Sequence, residues 1–179
     1  MHMLTAILFF CVSWIPSAEA AGSSTHDGHA GHTAEVPYAG QQNHAIKSLS
    51  KKDIDDLRNG RGWGLAKAAE LNGMPGPAHL LELRKEIGLS PSQVATIERR
   101  FEAMKTKAIP LGIRLIELEA RLERAFASRD IDPPKLKMLL SDIAATRGDL
   151  RFVHLATHLE TPAVLSLDQI KTYNRLRGY

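Results

Sequence analysis

The feature that most constrains this chain is an apolar seam that runs from Val94 through Ile97, Phe101, Met104, Ala108, Leu111, Leu115 and Leu118 to Leu122. Its steps alternate between three and four residues without a slip, which puts these side chains on one face of an α-helix and asks for a second helix to cover them. Pro110 lies inside the stretch, where proline removes a backbone hydrogen bond and clashes with the preceding turn. The seam keeps its phase across Pro110, so one bent helix is expected rather than two. No stretch alternates with period two for long enough to make a convincing strand, and the expected class is all-α.

Ser128 to Pro134 reads as a turn and restart. A second long helix follows from about Pro133 to Val164, with Leu136, Leu139, Ile143, Leu150, Val153 and Thr157 facing inward. Two long helices joined by a short turn are expected to lie antiparallel, as a helical hairpin. Shorter pieces flank it: a helix through Ile54 and Leu57, the glycine run Gly60-Arg61-Gly62-Trp63-Gly64, a helical LAKAAEL closed by Asn72-Gly73, and a helix launched at Pro75-Gly76-Pro77 that carries His79, Leu80, Leu83 and Ile87. Such short pieces must pack on something longer. The glycine run lacks the Lys-Ser/Thr ending of a phosphate loop and no strand precedes it, which excludes nucleotide binding of that kind.

One punctuation mark recurs. LSPSQV at Leu89–Val94 has a near twin in LSLDQI at Leu165–Ile170 and a looser relative in LSKKDI at Leu49–Ile54. A serine N-cap accepts from a backbone N–H one turn on, and a glutamine three residues later bonds back to the cap's own N–H. Ser90 with Gln93 and Ser166 with Gln169 fit this capping box, whereas Asp53, with its shorter reach, suits Ser50 less well. Leu89 and Leu165 occupy the outer position of a hydrophobic staple, and Pro91 takes the first helical position, where its missing N–H costs nothing. The third copy reads as a helix start alone.

The ends bound location and chemistry. An apolar run from Leu4 to Ile15, followed by Ala18-Glu19-Ala20, reads as a secretory signal over residues 1–20, cleaved after Ala20. The run is too short to cross a bilayer core, which needs about 20 residues, so stable membrane insertion is not expected. Cys11, the single cysteine, would leave with the signal, and the expected compartment is a periplasm. Loss of Glu19 takes the formal net charge from +3 to +4, mildly basic and without the clustered excess of a nucleic-acid binder. Residues 21–44 are rich in Gly, Ser, Ala and His and read as a disordered tail. Within it, His26, His29 and His32 could loosely chelate Zn(II), Cu(II) or Ni(II). Residues 45–88 form a short-helix region and residues 89–179 the hairpin.

An exported helical hairpin opened by LSPSQ and followed by LSLDQ resembles the Spy/CpxP superfamily, whose members carry two L-T-x-x-Q motifs at those places. Both threonines are serine here, at Ser90 and Ser166, which keeps the cap chemistry. The resemblance covers about Pro77 to Tyr179. It implies a cradle-like homodimer and one of two functions. The first is an ATP-independent holding chaperone for unfolded clients, or a regulatory subunit that restrains an envelope-stress sensor kinase. The second is a heavy-metal sensor or resistance protein of the CnrX or ZraP kind.

The histidines decide between these. His154 and His158 lie four apart on the second long helix, a spacing metal sites use, and His79 lies where related sensors place further ligands. A site would be His79, His154 and His158, with Glu82 or Glu160 nearby. The competing expectation is that Arg147, Arg151, His154 and His158 form one solvated polar stripe opposite Phe152, Leu155 and Leu159. Arginines beside the histidines would also repel a cation. For the chaperone reading, Arg99, Arg100, Lys105, Lys107 and Arg114 mix long cationic stems with apolar surface. No arrangement of an enzyme is present: no HExxH, no His/Asp/Ser spacing and, after cleavage, no thiol, so no catalytic residue is nominated and no cofactor is required.

Overall fold

The computed structural model describes residues 38–179, which form one compact unit. The expected signal segment, Cys11, and His26, His29 and His32 lie outside the described residues. What is described is all-helical: six α-helices and two 3-10 turns. A 3-10 turn at Gln41–Asn43, within the stretch expected to be disordered, leads to α1 (Lys51–Arg58), α2 (Lys67–Glu70) and α3 (Pro77–Glu82). Two long helices follow, α4 (Pro91–Ala127) and α5 (Pro133–Glu160), then a 3-10 turn at Thr161–Val164 and α6 (Leu167–Arg177).

All three capping boxes form. Ser50, Ser90 and Ser166 each accept from the backbone N–H three residues on, and the side chain there accepts from the serine's own N–H. Asp53 thus closes its box despite its shorter reach, with Ser50 N–H to Asp53 Oδ2 at 2.8 Å. It also does more than start a helix, because its other oxygen accepts the Trp63 indole N–H at 2.8 Å. The LSPSQ and LSLDQ copies meet in space. The amides of Gln93 and Gln169 donate to each other at 2.8 and 3.0 Å, and they also donate to the carbonyls of Val164 and Gly88. Around this junction Leu80, Ile87, Ile97 and Tyr173 are buried, with Leu89 and Leu165 packed against them.

α4 runs without interruption through Pro110, as the unbroken seam requires. Every seam residue is buried or half-buried. The helix closes at Ser128, and Arg129 takes a left-handed φ of 57° to turn the chain. Asp132 then caps α5 by accepting from Lys135 N–H at 2.8 Å, with Pro133 in the first helical position. Ala125 and Leu139 line one hollow near this turn, and Arg100 donates to the Glu160 carbonyl near the other end of α5. α1 docks on α4 at Gly112, where the Leu57 backbone comes so close that no β-carbon fits, and Gly60, just past α1, lies over Ala108 one turn earlier.

α3 differs from expectation. It stops at Glu82, short of Leu83 and Ile87. Leu83–Gly88 instead forms tight turns held by Ile87 N–H to the Leu83 carbonyl and Leu89 N–H to the Arg84 carbonyl. Gly88, at φ 71°, supplies the left-handed turn that ends them. In α6 Tyr173 is fully buried, whereas Leu176 is 44% exposed.

Candidate functional site

α1 and α3 pack on α4 and α2 packs on α5, so the passage between α2 and α3 lies against the face of α5 that carries the histidines. Asn72-Gly73 ends the α2 turn, with Gly73 at φ 75°, and the chain passes through Met74 and Pro75 before Pro77 opens α3. This passage places the Met74 carbonyl 2.9 Å from His158 Nδ1. A carbonyl only accepts, so Nδ1 carries the proton and donates, which leaves the Nε2 lone pair pointing elsewhere. That Nε2 lies 4.0 Å from Glu70 Oε1. Gly76 fits edge-on against the same imidazole, and a β-carbon there would meet its Nε2 at 2.5 Å.

Glu70 is the hub. Its Oε1 accepts from His79 Nδ1 at 2.7 Å. Its Oε2 accepts from the Tyr179 hydroxyl at 3.4 Å and faces the Arg177 guanidinium at 3.7 Å. One carboxylate therefore joins α2, α3 and the end of α6 beside α5. Burial, with the Glu70 charge adding to it, pushes the nearby Tyr173 hydroxyl up to about 12.

His154, one turn before His158, is 3% exposed, and its Nε2 has no hydrogen-bond partner. Burial, then the proximity of His158, lowers its pKa to about 4, so the imidazole is neutral at pH 7. An unpaired buried polar atom costs about 1–3 kcal/mol, and His154 shares this condition with His44, Tyr173, Asn174 and Arg177 among the described residues. The solvated-stripe expectation is overturned: His154 and His158 are buried while Phe152 and Leu159 are 69% and 68% exposed. The reason is that α2 and the Met74–Gly76 passage cover the polar side of α5, and nothing among the described residues covers Phe152. Of the expected stripe, Arg147 stays at the surface, where its guanidinium stacks 4.9 Å from the Trp63 ring centre.

His79, His154 and His158 line a common cleft of about 440 Å³ together with Trp63, Phe101 and Met104. Glu82 lies at its wall, but Glu160 lines a different hollow. The carboxylate that gathers the histidines is Glu70, which sequence reasoning missed, since its nine-residue offset from His79 matches no helical spacing. As a metal centre the set does not fit. Nitrogen and oxygen donors at about 2.0–2.2 Å from a tetrahedral ion stand about 3.3 Å apart. His79 Nδ1 is closer to Glu70 than that, at 2.7 Å, and already donates to it; His158 Nε2 is farther, at 4.0 Å. Among the described residues no group of three or more His, Cys, Asp or Glu side chains is arranged to hold a metal ion.

On the other side of α5, a groove of about 270 Å³ runs between α4 and α5, lined by Arg99, Arg100, Lys107, Phe152, Val153 and Ala156 among others. Arg100 is tied to the Glu160 carbonyl. Arg99 bonds only to the Thr96 hydroxyl, and neither it nor Lys107 has a carboxylate partner among the described residues. No helix among the described residues is long and apolar enough to cross a membrane. Comparison with protein-family models, curated proteins and solved structures finds no match.

Proposed function

We propose that this is a non-enzymatic, exported protein of the Spy/CpxP kind, a periplasmic holding chaperone or regulatory binding subunit of envelope stress. In this reading α4 and α5 form an antiparallel hairpin bent at Pro110, and two copies make a cradle. The observation that carries it is the groove beside Phe152, where a large exposed aromatic is bordered by uncommitted cations. Met138 and Leu159, also exposed, lie two heptads before and one heptad after it in phase, so the apolar stripe extends along α5. Such a surface holds a partly unfolded chain through many weak contacts, apolar ones from the stripe and charge-assisted ones from Arg99 and Lys107. The test is aggregation of a chemically unfolded client with and without the protein. Suppression by the wild type that is lost in Phe152→Ser with Leu159→Ser supports the reading; a wild type that leaves aggregation unchanged refutes it.

The meeting of His79 and His158 on Glu70 favours a second reading, sensing or buffering of Zn(II), Cu(II) or Ni(II) in heavy-metal resistance. It requires Glu70 and both imidazoles to move apart or together before an ion is bound. Titration with each metal, with and without residues 21–44 and in His158→Ala, decides it. Stoichiometric micromolar binding that survives tail deletion and is lost in the helix variant would favour metal over client.

A further inference from the structure

We propose that the cleft between the 52–82 segment and the flanks of α4 and α5 binds a small, uncharged, planar heteroaromatic molecule whose edge both donates and accepts a hydrogen bond. At about 440 Å³ the cleft falls in the range of small-molecule sites, about 300–1,000 Å³. Its apolar wall is Trp63, Phe101 and Met104, two aromatic rings and a polarizable thioether, which together favour a flat π-system over a branched aliphatic. Trp63 adopts a φ of 43°, a region bulky residues avoid. It is held there by its bond to Asp53 and by Arg147 over the ring. Strain of this sort gathers where a side chain is positioned for a ligand.

The charges select a neutral ligand. Asp56 is matched by Lys52 and Arg61, and Glu70 by Arg177. Among the charged groups lining the cleft, Lys67 and Glu82 lack an ion partner among the described residues, one of each sign. The hydrogen-bonding edge is selected by His154, whose buried Nε2 lacks a partner in the wall of the cleft. A neutral imidazole offers one donor and one acceptor, so a ligand edge bearing adjacent N–H and C=O groups satisfies either tautomer. The cleft and the client groove share Met104 but lie on different sides of α5, because His154 and Phe152 are two residues apart and project to opposite sides of that helix.

Quinolin-2-one is the probe: two fused rings, uncharged, with a lactam edge. Isothermal titration of the full chain, with the Trp63 indole N–H resonance followed by NMR, should show saturable one-to-one binding and a shifted indole signal. Piperidin-2-one, with the same edge and no aromatic ring, should not saturate. His154→Leu should weaken quinolin-2-one binding about tenfold, while Phe152→Ser leaves it unchanged. Phe101→Leu, which removes one ring of the aromatic wall, should also weaken it and decides the matter if the histidine variant does not fold. Absence of a saturable indole shift overturns the proposal, as does equal binding of piperidin-2-one or undiminished binding by folded variants. None of these outcomes bears on client holding, so the two proposals fail separately.

Discussion

Replacing a helical glycine by alanine should have opposite effects at two positions of this fold. Gly112 lies in α4 where the Leu57 backbone passes. A β-carbon there would be 2.9 Å from the Leu57 carbonyl carbon and 3.2 Å from its Cα, against 3.4–4 Å for ordinary contact. Both obstacles are main chain, so no side-chain rotation relieves them, and α1 has to retreat from α4. Overpacking of this kind costs about 1–3 kcal/mol, here about 2–3 because the Leu57 carbonyl oxygen lies closer still to the added carbon, and the retreat loosens Leu57, which is 2% exposed. Alanine returns about 1 kcal/mol of helix propensity. The net expectation for Gly112→Ala is a loss of about 1–2 kcal/mol, or a Tm lower by about 2–8 °C. Gly148, in α5, has nothing within 4 Å of the added carbon, so Gly148→Ala keeps the propensity term and should raise Tm by about 2–4 °C. Paired urea and thermal melts measure both. Equal or greater stability of Gly112→Ala than of wild type would refute the claimed approach of α1 to α4.

Three further outcomes follow from named contacts. Gln93→Ala and Gln169→Ala should not add: the reciprocal amide pair predicts a coupling of about 0.5–1.5 kcal/mol in a double-mutant cycle, and additive losses would mean that the motifs stabilise only their own helices. His154 has its pKa lowered from 6.5 to about 4, so between those values the unfolded chain takes up a proton that the folded chain refuses. Stability is therefore full above pH 6.5 and falls toward pH 4 by on the order of 3 kcal/mol from this group; His154→Leu should flatten that slope in urea melts, and an unchanged slope would place the acid sensitivity elsewhere. Glu70→Gln should loosen α2 and α3, seen as faster amide exchange across residues 67–82 at a cost of about 1–2 kcal/mol; exchange confined to its wild-type rate would show that Glu70 does not join these helices.

Much of the fold was legible because its signals are local. Capping boxes fixed where α1, α4 and α6 begin, and the seam carried α4 through Pro110 because phase depends only on spacing. α5 was harder. It is covered by α4 on one side and by α2 with the Met74–Gly76 passage on another, so its buried residues include Thr146, His154, Thr157 and His158, and a polarity pattern alone assigned the histidines to solvent. The exposure of Phe152 was missed for the same reason, in reverse. The partnership of Gln93 with Gln169, 76 residues apart, has no local trace, because each glutamine is already explained by its own cap. Glu70 was missed because a four-residue helix held by turns carries no periodicity, and its partners come from α3, α5 and the end of α6.

The central claim is that the Phe152 face between α4 and α5 holds unfolded chains. Amide shift mapping tests it most directly, with labelled protein titrated by a permanently unfolded client. The account predicts shifts concentrated on Arg99, Lys107, Phe152 and Leu159, with Trp63 and His154 unmoved. Shifts confined to the histidine cleft, or no shifts at client excess, would contradict it.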